Sequence, residues 1–464
     1  MSNFRSPIRT IQTDFRSGEV DPLLAMRVDS KVYPSGAKTL RNCIIRAGGS
    51  VSRRPGSTRL LTLAAKRRLF GFEFDVDEKY ILSFGVSHLT VYDADGQTIS
   101  SFSNASCPWD TLDKVAQITA AQAGDTMIIC HPSFRPKVLK RTSLTSFTLT
   151  DYLFTRSVND SAIYQPYIKF EPAAVTLLTS STDVGTGRTI TASSPIFSAA
   201  WVGDTIRIQG NEVTITAYTS PTVVVGTVKR KIERYLDANP LRSTALLKTI
   251  EVTHPFHGMV SGAQVGVSGA DPGTSGISAG NINVPQGRTI TVLDEDRYTY
   301  EAENDDKADL SVDFGGVSVR INCTAPTRDW RESVFSNRRG WPAAVCFHED
   351  RLWFGGSTTL PDGLFGSETG LYYNFDVGEG EDDKSIQVTL GSPRVARIKH
   401  ILAGPVLQIF TEGAEFVARQ SDGVALTPST ISVRPQTPYG CTEVQPRSFD
   451  GATIFIQANR KTVR

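Results

Sequence analysis

The 464 residues are 39% hydrophobic and 21% charged and carry a net charge of +1, the balance of a globular chain that can bury several cores and is no polycation. Fourteen Lys and Arg against four acids nevertheless give residues 1–68 a charge of +10 and leave −9 for the remainder, which points to an acidic partner or a complementary subunit face. The six cysteines form no CxxC pair, no secretory signal fits the polar N-terminus, and no apolar run nears the roughly 20 residues of a membrane span, so we expect folding in a reducing cytoplasm and no stable membrane insertion.

Residues 1–60 read as an N-terminal assembly segment. Asp21 can cap a short helix with Pro22 at its first position, and residues 40–46 read as a strand ended by Gly48 and Gly49. Arg16, Arg27, Arg53 and Arg54 are the candidate interface residues. Arg53 and Arg54 are favoured, because a guanidinium pairs with a carboxylate in a planar, bidentate manner.

A recurring unit follows. An apolar strand, a short turn and a second strand occur at residues 79–92, 125–139, 343–354 and 406–417, with a half copy at 452–456. A nearly continuous apolar strand needs cover on both faces. Repeated hairpins that cannot bury themselves alone suggest radial β architecture. Residues 167–327 break the pattern with Thr-, Ser-, Val- and Gly-rich short strands, read as inserted small β-barrel or sandwich domains. Residues 231–237 are the one helix expected there. The fold is therefore mainly β: an interrupted β-propeller-like body, 61–166 and 328–464, with inserted β domains between.

Motifs that carry chemistry are mostly absent from the sequence. His254 and His257 have H-x-x-H spacing, but Pro255 between them and the missing glutamate argue against a zinc helix. Asp93, Asp95 and Gly96 look like a hairpin turn rather than a calcium loop. Gly266, Ser268 and Gly269 are not a nucleophile elbow, and no phosphate-binding loop is present. Glu379, Glu381, Asp382 and Asp383 form an acidic cluster near Asp376. The aromatic group from Trp330 to Phe375 fits core packing better than a sugar platform. No catalytic residue, metal or cofactor is expected, and the chain is read as a non-enzyme.

Two stretches carry a family resemblance. Residues 15–29, with Tyr33, Gly36, Ala37, Asn42 and the run Arg53, Arg54, Pro55, Gly56, resemble the opening of the tail nozzle proteins of short-tailed phages, the tail tubular protein B family. Residues 340–356, with Gly366, Ser367, residues 370–375, Asp382 and Asp383, are similar to that family's central signature; residues 122–141 and 409–415 also fit. The resemblance implies a homohexameric ring below a dodecameric, tail tubular protein A-like adaptor, contacts with tail fibres or spikes, and genome DNA passing through without sequence specificity. It places the chain in the virion tail, assembled in the host cytoplasm. Because a cationic lumen would hold phosphates, Glu379, Glu381, Asp382 and Asp383 are the candidate channel-facing acids. The family usually continues past the last hairpin, so a further C-terminal domain is expected beyond Arg464. The alternatives are a receptor-binding or glycan-degrading tail component and a non-viral propeller scaffold.

Overall fold

The computed structural model describes residues 11–27, 29–30, 32–158, 162–255, 257–323, 326–378, 380–391, 396–419, 425–449 and 451–464. They belong to two units, Met1–Ala64 and Ala65–Arg464. The larger is built mainly of β strands, whereas the described part of the smaller is mostly turns with four strands of two or three residues. The longest helix among the described residues is Leu112–Gln117, whose first turn is capped by the Thr111 hydroxyl accepting from the Lys114 amide.

The larger unit is organised by four antiparallel four-stranded meanders, termed here blades. Blade one comprises Arg68–Glu73, Lys79–Gly85, His88–Tyr92 and Thr98–Ser103, and blade two Thr119–Ala123, Thr126–His131, Phe134–Ser143 and Ser146–Asp151. Blade three comprises Ala344–His348, Arg351–Gly355, Gly363–Gly366 and Ile386–Thr389, and blade four Ile398–Leu402, Leu407–Thr411, Glu415–Arg419 and Ser432–Thr437. All four expected hairpins are present.

Strand periodicity explains why these strands are apolar throughout. Successive side chains point to opposite faces. In blade two, Met127 and Ile129 pack with Phe72, Leu82 and Phe84 of blade one, while Ile128 and Cys130 pack with Leu352 and Phe354 of blade three. In blade three, Trp353 turns the other way and packs with Ile401, Leu407 and Ile409 of blade four. The central strands of blades two and three are thus covered on both faces, by the blade before and the blade after. The inner edges are also joined, the Thr119 hydroxyl donating to the Ala343 carbonyl at 2.7 Å. These stacked meanders are the propeller-like body. A further two-stranded hairpin, Arg447–Phe449 with Ala452–Ile454, follows blade four.

The interruption holds two β assemblies. The first is a seven-stranded antiparallel sheet in the order Tyr167–Ile168, Trp330–Ser333, Thr205–Ile208, Asn211–Ser220, Val223–Val228, Gly185–Ala192, Leu177–Thr179. It curls until Leu177 bridges Thr327, but no ladder completes the ring, so the barrel expectation is not met among the described residues. The second is a sandwich. Arg234–Tyr235, Arg320–Cys323, Gln264–Ser268 and Arg288–Thr289 form one sheet, and Thr291–Val292, Arg297–Glu301, Thr249–Thr253, Leu241–Ser243 and Asp313–Phe314 the other. Val265, Val267 and Ile321 of the first share a core with Ile250, Val252, Tyr298 and Tyr300 of the second.

The helix expected over 231–237 is replaced by the strand Arg234–Tyr235, paired with Arg320–Cys323. Tertiary partners outweigh a weak local propensity: Arg234 pairs with Asp329 at 2.9 Å, and the Arg320 guanidinium lies over the Tyr235 ring. Cys107, Cys130, Cys346 and Cys441 are buried free thiols, whereas Cys43 is exposed. Burial pushes the Cys107 thiol up to about 11 and the Cys346 thiol up to about 12, so both are inert at neutral pH. Among the described residues no helix is long and apolar enough to cross a membrane.

Candidate interaction surfaces

The smaller unit has defined turns and almost no interior. Asp21 caps the 3-10 helix Pro22–Met26 through its carboxylate, which accepts from the Leu23 amide at 2.8 Å, as its sequence predicts. Cys43–Ile45 pairs with Val51–Arg53, and Gly18–Glu19 runs parallel to Gly36–Ala37. Gly49, at φ +86°, closes the hairpin turn, and a side chain there would strike the Asp14 carboxylate. Gly49 is the only buried residue described in this unit. Leu23 is 87% exposed, Ile44 44% and Tyr33 41%. A segment with fixed backbone hydrogen bonds but no buried hydrophobic side chain lacks the core that stabilises a free-standing domain.

The four candidate arginines all lie on this unit and are exposed. Arg16 pairs with Asp14 at 3.1 Å and Arg27 with Asp29 at 3.0 Å. The Arg27 guanidinium holds the Asp29 carboxyl below its ordinary range. Arg54 donates to the Asn42 side-chain oxygen at 3.0 Å, with Asn42 held at φ +54°. Arg53 carries no ion pair among the described residues. Two of the four are therefore neutralised locally by an acid two positions away, and Arg53 is the least committed.

The acidic cluster belongs to the loop between the third and fourth strands of blade three. Glu379 lies outside the described residues; Glu381, Asp382 and Asp383 are exposed. The loop is held from beneath by Arg351, which is 2% exposed. Its guanidinium donates to the carbonyl oxygens of Ser367 at 2.6 Å, Lys384 at 2.5 Å and Asp382 at 2.7 Å. Lys384 pairs with Glu368 at 2.9 Å. Burial lowers the Arg351 guanidinium from its ordinary value, with Asp383, Glu349 and Glu368 opposing that shift. Three carboxylates are thus presented to solvent on a fixed backbone.

The residues of the central signature have architectural positions. Glu349 and Asp350 occupy the two-residue turn of the blade-three hairpin at φ +48° and +53°, the twist that a tight hairpin requires. Trp341 donates through its indole nitrogen to Asn337 at 3.1 Å and through its backbone to the Pro132 carbonyl at 3.0 Å. Just before it lies a buried ionic knot that sequence reading missed. Glu332, 1% exposed, accepts from Arg338 and, at 2.9 and 3.0 Å, from Arg339. Arg338 also donates to Asp204 at 3.1 Å and Arg339 to Glu171 at 3.1 Å, tying the seven-stranded sheet to the body. Adjacent arginines before a glycine were the only sequence signal, and they named no partner.

The remaining motifs are structural. His254 and His257 are both 1% exposed; His257 accepts from the Met259 amide and its other ring nitrogen meets the Asp294 carbonyl at 3.0 Å. Burial drives His254 down to about 3. The Asp93 carboxylate accepts from the amides of Asp95 and Gln97, closing a hairpin. Phe335, Trp341, Phe354, Phe365 and Phe375 are core residues. Among the described residues no group of three or more His, Cys, Asp or Glu is placed to hold a metal ion.

No protein-family description matches the chain, and no curated protein matches it either. Among solved structures, it is similar to one titled Phage phi92 endosialidase, at 9% identity and a TM-score of 0.18. That match covers 73% of this chain, which spans 61% of the length of the other, and a likeness so slight carries no argument about fold or activity.

Proposed function

We propose that the chain is a structural subunit of the tail of a short-tailed phage, forming the distal tube, or nozzle, as a homohexameric ring. The ring seats below a dodecameric adaptor, offers surfaces to fibres or spikes, and lets genome DNA pass through its axis. The observation that carries this reading is the smaller unit, whose backbone is ordered by turns and short ladders although no hydrophobic side chain in its described part is buried. Such a segment gains its core from a partner. Arg53 stands opposite Cys43, one pair along the ladder from the exposed Ile44, so cationic and apolar side chains lie side by side on this hairpin, a mixture that suits an interface. Ring interfaces are heterologous, so a basic face on one subunit meets a different face on the next.

The signature residues support a scaffold. They fill turns, cores and carbonyl cradles, so what the resemblance shares is architecture. In this reading Glu381, Asp382 and Asp383, with Glu379, face the channel, where negative charge keeps DNA from sticking.

Electron microscopy of the purified full chain, alone and mixed with the adaptor, tests the proposal. A sixfold ring with an axial channel is expected. A monodisperse monomer that ignores the adaptor overturns it.

A further inference from the structure

A pocket of about 290 Å³ opens where the seven-stranded sheet meets the acidic loop and outer strand of blade three. Arg207 and Arg331 are direct cross-strand neighbours in its wall. Like charges placed opposite one another are destabilising unless something negative lies between them. Arg207 donates to the Ile163 carbonyl at 3.0 Å, stacks on Tyr167 and approaches Asp376 only to 3.8 Å; its Nε is buried without a partner. Arg234, also in the wall, is committed to Asp329. Arg331 is exposed and has no ion pair among the described residues. The lining therefore keeps one uncompensated positive charge.

Gln209 supplies the second observation. It is 3% exposed and lines this pocket, yet neither its amide nitrogen nor its amide oxygen has a partner. Such a group costs stability unless something satisfies it. It also sits at φ +49° before Gly210 at +76°, in a two-residue turn that Asn or Gly would enter with less strain. A buried, unsatisfied amide on strained backbone, beside the unpaired Arg331 guanidinium and the orphaned Arg207 Nε, describes an unfilled polar site.

We propose that this pocket binds a small carboxylate with a neighbouring hydroxyl, the size of one sugar ring: an acidic monosaccharide unit. The carboxylate lies between Arg331 and the Arg207 Nε, where charge-assisted hydrogen bonds are strongest. A hydroxyl both donates and accepts, so it can satisfy either atom of the Gln209 amide. The volume of about 290 Å³ falls just under the roughly 300–1,000 Å³ of small-molecule sites, which suits a single ring. The step is binding, with no bond made or broken, and it does not depend on the assembly reading.

Calorimetric titration of the full chain with D-glucuronate tests this, with glucose and acetate as controls. Glucuronate is expected to bind saturably at one site, acetate at least about tenfold more weakly, and glucose not at all. Arg331→Gln should weaken glucuronate by about tenfold or more. Gln209→Gly should weaken it while raising Tm, because glycine accepts the positive φ and removes the orphaned amide. Absence of saturable binding, acetate binding as tightly as glucuronate, undiminished binding in Arg331→Gln, or a lowered Tm in Gln209→Gly would each overturn the proposal.

Discussion

Arg351 donates to the Asp382 carbonyl oxygen at 2.7 Å, while the exposed Asp382 carboxylate turns away from it and accepts a long hydrogen bond from the Ser429 hydroxyl at 3.4 Å. The guanidinium therefore holds the acidic loop through its backbone carbonyl oxygens, and the Asp383 carboxylate acts on it as a nearby charge without a direct pair. Arg351→Met is expected to cost about 3 kcal/mol, because three carbonyl oxygens, one buried and two partly buried, lose a charged donor. Asp382→Asn should stay within about 0.5 kcal/mol of the parent, as an exposed side chain outside the contact. Urea titration of both variants checks the pair. If Asp382→Asn were as damaging as Arg351→Met, a carboxylate–guanidinium pair would be holding the loop instead.

The hairpins were legible because a blade strand covered on both faces must be apolar at successive positions, as in residues 127–130. The Asp21 cap and Pro22 were legible because capping is local. Contacts between distant parts were not. Nothing in the run containing Arg351 says that its side chain would turn inward to three carbonyl oxygens, since backbone acceptors carry no residue type. Arg207, Gln209 and Arg331 meet only because one strand pairs with another more than a hundred positions away. The curl of the seven-stranded sheet depends on pairings that composition does not encode, which is why barrel and sandwich stood equal in sequence. The helix Leu112–Gln117 spans under two turns, too short for a periodic pattern.

Gly356 follows the second strand of blade three and Gly370 lies in the loop after its third, at φ +63° and +71°. A Cβ at Gly356 would sit 2.9 Å from the Ile398 carbonyl oxygen and 3.0 Å from that of Pro361, whereas at Gly370 it would meet nothing within 4 Å. Gly370→Ala therefore bears only backbone strain, about 1 kcal/mol. Gly356→Ala adds a clash with two backbone atoms that join blade three to blade four, and should cost about 2–3 kcal/mol. Equal melting temperatures for the two variants would contradict the close approach.

Three buried histidines set an acid limit on stability. Burial lowers His131 to about 4, His400 to about 4 and His254 to about 3, from an ordinary 6.5. Each is neutral when folded and takes a proton on unfolding once the pH falls below 6.5. The unfolded state then binds more protons, so stability rises with pH across this window and is lost as pH falls from 6.5 towards 4. Between pH 7 and pH 5 each should withdraw about 2 kcal/mol. Denaturant midpoints at the two pH values check this. His400→Gln should show a shallower slope than the parent, its amide still able to reach the Thr442 carbonyl that His400 meets at 3.0 Å.

Cys43 makes the smaller unit's role measurable without disturbing its fold. It lies on the exposed hairpin opposite Arg53, and it is the one free thiol exposed among the described cysteines. In the free protein a maleimide reagent should therefore label Cys43 first, because the buried thiols are protonated and inaccessible. If residues of this hairpin form the contact with a neighbour or the adaptor, assembly should slow that labelling by at least about tenfold, as burial removes the thiol from solvent. Arg53→Glu combined with Arg54→Glu should abolish assembly while leaving Tm within about 1 °C, because neither guanidinium supports a buried group. Loss of the Asn42 contact made by Arg54 is the one local cost, and Arg53→Glu alone avoids it. Rings that form normally from the double variant, with Cys43 as reactive as in the free chain, would place the contact elsewhere on the molecule.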